Sequence, residues 1–327
     1  MKALICRAFG PPRDLRVEDV PEPKPASRGV RIAVAAAGLN FPDVLMVQGL
    51  YQVKPPFPFS PGAEVSGTVI ETGADVRTVR PGDRVAAFVS YGGFAQEVAA
   101  AEANVFKLPA GIDMTVAAGF GLTYGTAYHA LHDRGHLAAG ETLLVTGAGG
   151  GVGLAAVELG VAAGARVIAA ASSREKLDAA RAAGAHECID YTEVPLRERV
   201  EALTDRRGPD VVFDPVGGDV FDACLRCVSW GGRLLIIGFA SGRIPDIPAN
   251  RLLLRGCDAV GVFWGSFATR DAARNQANFA ELFAMYAAGT IRPTVHATFD
   301  LDDAVDAIEA MRERRLVGKA VITVAGN

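Results

Sequence analysis

From Leu143 to Gly160 the chain reads LLVTGAGGGVGLAAVELG: an apolar run, a cluster of glycines, then residues of helical pattern. Bare backbone between a strand and a helix start can bring peptide N–H groups and a helix N-terminus against a pyrophosphate. The spacing is Ala148-x-Gly150-x-x-Gly153, with Gly151 and Val152 between the two glycines, so alanine stands at the first glycine of the dinucleotide fingerprint. A side chain at Gly150 or Gly153 would obstruct the phosphates or the packing of helix on strand. About 20 residues further on, where an acidic residue would hold a ribose 2′-hydroxyl, the chain has AAASSREK. Ser172, Ser173, Arg174 and Lys176 offer hydroxyls and cations suited to a 2′-phosphate, each charge-assisted contact being worth roughly 1.5–3 kcal/mol. NADPH is therefore the expected dinucleotide, although Arg174 and Lys176 could also open a solvated helix.

Such a turn needs a parallel sheet around it, and the texture of the chain supplies one. From Glu141, ETLLVT, GLAAVELGVAAG, ARVIAAAS, REKLDAARAAG, HECIDY, DVVFDPVG, DVFDACLRCVS, GRLLIIG and CDAVGVFW alternate as strand and helix, the pattern of a doubly wound α/β sheet. Before residue 123 short β-like pieces (RIAVAAAG, AEVSGTVIETG, DRVAAFVS) alternate with proline and glycine punctuation, a β-rich, barrel-like texture. The expected division is residues 1–123, then 124–265 for the dinucleotide, then 266–327 returning to the first part through a long helix, a strand, a second helix and a last strand.

A length of 327 residues suits two domains. The net charge of −4, without a long basic run, argues against nucleic acid as a partner. No apolar run reaches the roughly 18 residues of a membrane helix, and the start lacks the core of a signal peptide. Five scattered cysteines are unlike a secreted disulfide framework. A cytoplasmic location is expected.

On GLNFPDVLMVQGLYQVKPPFPFSPGAEVSGTV, PGDRV, TYGTAYHAL ahead of GAGGGVGL, PVGGDVF, IGFASG and VGKAVI, the chain resembles the zinc-independent quinone oxidoreductases of the medium-chain dehydrogenase/reductase superfamily over its whole length. The resemblance implies a GroES-like β-barrel catalytic domain plus a Rossmann domain, with the active site in the cleft between them. Zinc alcohol dehydrogenases of this superfamily carry cysteine where Asn40 stands and Gly-His-Glu where this chain has Gly62, Ala63 and Glu64. One remaining carboxylate cannot make a three-ligand catalytic zinc site, so no metal is expected.

Without a Lewis acid, the expected chemistry is hydride delivery to an acceptor that is already electron-poor. The protein must then hold that acceptor, exclude water and stabilise charge developing on its oxygen. By resemblance Asn40 and Tyr51 line the site, an amide and a phenol that can donate to an oxyanion; Tyr51 could also be a general acid, as could water. Relatives with a second tyrosine in this loop have it where this chain has Leu45. The resemblance further places Thr126 near the nicotinamide, Tyr191 near the adenine, Gly238, Phe239, Phe263 and Trp264 beside the nicotinamide or acceptor, and Lys319 toward the cofactor. His129, His132 and His136, and the pair Cys224 and Cys227, have spacings open to a metal or redox role, but packing is the expected one. The leading function is reduction of a quinone by NADPH. A small enone or an enoyl-CoA is the alternative, for which Arg243, Arg251 and Arg255 could bind CoA phosphates; a cofactor-binding structural or interaction protein without turnover is another. The apolar CDAVGVFW, as an edge strand, is expected to pair with its mate in a homodimer.

Overall fold

The structure, a computed structural model, describes residues 1–324. Its chain forms two compact units, the first made of Met1–Leu122, Phe267–Ala287 and the chain from Pro293 onward, the second of Thr123–Ser266 and Ala288–Arg292. In chain order the strands are β1 (Lys2–Ile5), β2 (Arg16–Asp19), β3 (Gly29–Leu39), β4 (Glu64–Thr72), β5 (Arg84–Phe88), β6 (Glu97–Ala101), β7 (Val105–Lys107), β8 (Thr142–Thr146), β9 (Arg166–Ala171), β10 (Glu187–Asp190), β11 (Val211–Asp214), β12 (Arg233–Ile236), β13 (Asp258–Gly261), β14 (Val295–Asp300) and β15 (Lys319–Thr323). The helices are α1 (Phe41–Val47), α2 (Met114–Tyr128), α3 (Gly151–Ala162), α4 (Arg174–Ala182), α5 (Leu196–Leu203), α6 (Gly218–Cys227), α7 (Ala249–Arg255), α8 (Trp264–Arg270), α9 (Ala272–Ala287) and α10 (Ala304–Arg312).

In the first unit, β14-β15-β3-β4-β5-β7 form one sheet and β6 adds to β3. Along β3 the side chains alternate as a half-covered strand requires: Val30, Ile32 and Val34 are buried, while Arg31, Ala33 and Ala35 are partly open. From Ala36 onward the strand is buried at every position, because Ala36 packs with Ala118 of α2 and Val321 of β15. The tail is held by Leu301, Ala304, Ala307 and Ile308, which join the main core of this unit. Ala304, Ala307 and Ile308, three and four residues apart, mark the inner face of α10, and Leu301 lies in the turn just ahead of it.

In the second unit the order is β10-β9-β8-β11-β12-β13, all parallel. Counted along the unit this is 3-2-1-4-5-6, the Rossmann order, in which the crevice for a dinucleotide opens at the carboxyl ends of the two middle strands. β8 and β11 read TLLVT and VVFD, nearly continuous apolar runs, because helices cover both faces of such a sheet. The expected strand CDAVGVFW is shorter than its apolar run: β12 offers four residues for pairing, Asp258–Gly261 take them, and Trp264 already begins α8.

Candidate functional site

The glycine turn sits at the carboxyl end of β8, and four of its glycines are bare for different reasons. Gly147 has φ of +55°, a conformation glycine adopts without penalty. A Cβ on Gly153 would collide with the Gly147 carbonyl and lie 2.8 Å from Ala148 Cα. One on Gly149 would lie 2.6 Å from Lys176 Cγ, so Lys176 packs directly on the turn. Gly150 differs. It is the N-cap of α3 at φ −91° and ψ 166°, with no side chain capping the helix, and a Cβ there would meet nothing of the protein nearer than 3.5 Å. Its missing side chain therefore leaves a cradle that the fold does not fill, at a helix N-terminus suited to phosphate.

The other expected cofactor residues gather around this turn or lie apart from it. Ser172 is exposed just past β9; Ser173 caps α4, its hydroxyl accepting from the Lys176 N–H at 3.4 Å. The Tyr191 N–H donates to the Ala171 carbonyl at 3.2 Å, which puts Tyr191 beside Ser172. Arg174 extends outward, near Asp178 at 3.9 Å. Phe239 lies over Gly217, whose Cβ would come within 3.1 Å of its ring, and Gly238 lies alongside Pro215. That neighbouring turn is fixed by Asp214, which accepts from Thr146 Oγ1, from the Val216 N–H at 3.2 Å and from the Gly217 N–H at 2.9 Å. Sequence reading passed over Asp214, though it stands inside the quoted DVVFDPVG. Thr126 is buried in α2, Trp264 is buried, and Phe263 is half exposed.

In the first unit the sequence-distant residues Asn40, Glu64 and Lys319 meet. Lys319 Nζ donates to Asn40 Oδ1 at 2.7 Å, to Glu64 Oε1 at 2.6 Å and to the Leu39 carbonyl at 3.1 Å. Its three hydrogens thus have three acceptors within this unit, and it is 5% exposed. An ammonium so engaged has all its hydrogens satisfied by the first unit's own acceptors. Glu64 also accepts from Asn40 Nδ2 at 2.8 Å and from the Leu122 N–H at 2.6 Å. Asn40 caps α1, and Asp43 closes the capping box by accepting from the Asn40 N–H at 2.8 Å; its other oxygen accepts from the Gly62 N–H at 3.1 Å. Tyr51 is half-buried against the same core; burial first, then the Asp43 charge, pushes its phenol above the ordinary value, so it stays a donor.

Asp43 is fully buried, and that burial pushes its carboxyl up to about 7. A carboxyl whose folded value lies above its unfolded one contributes stability that is fully present below about pH 4 and lost as pH passes 7. Wild type is therefore expected to lose on the order of 3–4 kcal/mol relative to Asp43→Asn between those limits. Urea unfolding at several pH values checks this, and parallel curves for the two proteins would refute it.

The tempting clusters are occupied by packing. His129 and His132 both face Asp133, at 2.8 and 3.2 Å, and His136 has left the helix with φ of +47°. Cys224 and Cys227 are buried in α6, where burial pushes Cys227 up to about 12 and Cys224 well above its ordinary value; neither is a ready thiolate.

Residues 26–110 match the family described as alcohol dehydrogenase GroES-like domain, and residues 151–284 match the zinc-binding dehydrogenase family. The chain is 40% identical over 325 residues to a quinone oxidoreductase-like protein 2 homolog of Nematostella vectensis, covering 98% of this chain and 88% of that one. Among solved structures it resembles the quinone oxidoreductase of Thermus thermophilus, crystallised also with NADPH (36% identity, TM-score 0.85, 99% and 100% of the two chains), and that of Escherichia coli complexed with NADPH (27%, 0.93, 99% and 100%). The donors at Asn40, Ala63 and Glu64 do not fit the zinc that one family description names. The first two offer neither thiolate nor imidazole, Glu64 is already taken by Asn40, Leu122 and Lys319, and among the described residues no three His, Cys, Asp or Glu side chains are grouped for a metal. With its strand order, its glycine turn and these relatives, the chain belongs to the quinone oxidoreductase family of the medium-chain dehydrogenase/reductase superfamily.

Proposed function

We propose that this enzyme is a zinc-independent, NADPH-dependent quinone reductase. The observation that carries the reading is the open cradle at Gly150, with Lys176 packed on the same turn and Ser172 and Tyr191 at the end of the next strand. Bound there, NADPH supplies the hydride. The chain's own part is to hold the phosphates on the α3 N-terminus, to take the 2′-phosphate with Ser172, Ser173, Arg174 and Lys176, and to present Asn40 and Tyr51 to the acceptor oxygen. Thr126, Gly238, Phe239 and Phe263 belong to the nicotinamide side of this reading. A quinone needs no metal activation, which suits a site whose Asn40 and Glu64 are tied to an ammonium.

A CoA thioester is less favoured, because two of the three cations offered for its phosphates, Arg243 and Arg255, are engaged. Arg243 pairs with Asp219 and Asp222 at 2.9 and 2.5 Å, and Arg255 donates to the Val228 and Arg226 carbonyls.

NADPH absorbance with a quinone, a small enone and an enoyl-CoA, each repeated with NADH and with a chelator, tests the reading. Quinone turnover with NADPH, unchanged by chelator, is expected; turnover confined to the thioester, or lost to chelator, would overturn it. In the same assay Lys176→Ala is expected to raise the NADPH KM about 10-fold and leave the NADH KM unchanged, as befits one lost charge-assisted contact.

The partner we propose is a second copy. The free edge of β13 is preceded in the chain by exposed Leu253 and Leu254 of α7 and followed by exposed Phe263, with Trp230 lying against Gly256 at 78% exposure. Light scattering is expected to give twice the 34.2 kDa chain mass, and Leu253→Asp the chain mass alone; a monomeric wild type would refute it. We place the protein in the cytoplasm: no helix among the described residues is long and apolar enough to cross a membrane, and its five cysteines are free thiols.

A further inference from the structure

We propose that Lys319 is a positioning residue of the reduction, acting through Asn40: its ammonium orients and polarises the Asn40 amide, which then donates to the acceptor oxygen. The proposal rests on the reading of Asn40 as part of the acceptor site.

The network itself sets which way the amide points. Asn40 Oδ1 faces the Lys319 ammonium at 2.7 Å and Nδ2 faces the Glu64 carboxylate at 2.8 Å. Turning the amide over would set oxygen against carboxylate and NH2 against ammonium, so only one orientation is satisfied. An amide oxygen that accepts from a cation leaves its N–H groups more polarised, and low local dielectric strengthens the effect. The two Nδ2 hydrogens are held unequally. One goes to a carboxylate, a charge-assisted bond. The other reaches the Gly38 carbonyl at 3.2 Å, the long end of the N–H···O range. That second hydrogen is the one that can be exchanged for an oxygen gaining negative charge.

The fold makes room for this ion pair. A Cβ on Gly38 would strike Glu64 Oε1, one on Gly119 would lie 2.9 Å from Lys319 Cγ, and one on Gly121 would lie 3.1 Å from Glu64 Oε2. A buried ion pair by itself is weak evidence of stabilisation, since two apolar residues in its place often serve as well. The direction it imposes on Asn40 is something apolar residues would not provide.

The test compares wild type with Lys319→Met, Lys319→Arg and the double variant Lys319→Met/Glu64→Gln, which buries neither charge alone. The double variant is expected to melt near wild type and to bind NADPH with unchanged Kd by fluorescence titration. Its kcat for quinone reduction should be about 10-fold lower, with acceptor KM changed less than about twofold, and Lys319→Arg should recover part of the rate. A double variant as active as wild type overturns the proposal, as does a loss of kcat that merely follows the melting midpoint across the variants. Wild type inactive with every acceptor overturns the quinone reductase reading along with it; wild-type turnover beside an equally active double variant overturns the positioning role alone.

Discussion

Gly150→Val is expected to raise the NADPH Kd by about 10- to 100-fold, or about 1.4–2.7 kcal/mol, while the melting midpoint stays within a few degrees. The two effects separate because this glycine is bare for something outside the fold. Its φ and ψ are those of ordinary extended chain, which any residue adopts, and its Cβ direction is open to 3.5 Å. Gly153→Ala makes the contrast. That Cβ would drive into the Gly147 carbonyl and the Ala148 backbone, so this variant is expected to lose stability and cofactor binding together. Isothermal titration with NADPH beside a thermal melt reads both quantities. Unchanged affinity in folded Gly150→Val would remove the pyrophosphate from this turn, and with it the central support for the proposed reaction.

What the sequence made legible was local. The turn after β8 could be read because its strand, glycines and helix lie within 18 consecutive residues, and the alternation of strand and helix around it forces a parallel sheet whose middle strands flank that turn. The pairing of β15 with β3, Ala320 opposite Leu39, joins residues far apart in sequence and carries no local signal beyond the apolar character of both strands. The same distance hid the ion pair. Glu64 and Lys319 are 255 positions apart, so Glu64 reads as the leftover of a metal motif and nothing local joins it to Lys319. Only closure of the sheet brings one to the other. Asp43 was missed for a related reason: a capping-box carboxylate at the start of a helix is commonplace and solvated, and nothing local says that this one is buried. The glycines at 38, 119 and 121 were the available signal, three bare positions whose need appears once the chains around them are known.

Glu64→Ala is expected to be the most damaging single change to the first unit, costing about 3–5 kcal/mol. The carboxylate is 2% exposed and serves three donors: Lys319 Nζ, Asn40 Nδ2 and the Leu122 N–H. Removing it leaves an ammonium, an amide hydrogen and a backbone N–H buried together without their acceptor, and a buried charge without its partner is the heaviest of these losses. An exposed pair such as Arg243 with Asp219 should behave in the opposite way, because water replaces whichever partner is removed. Calorimetry on the full chain should therefore show Glu64→Ala melting about 10 °C lower and Arg243→Ala unmoved. Adding Lys319→Met to Glu64→Ala removes the stranded charge, so the double variant should regain much of what the single one loses. If it instead melts lower than Glu64→Ala, the penalty lies in the emptied volume rather than in the uncompensated ammonium, and the electrostatic account of this core would be wrong.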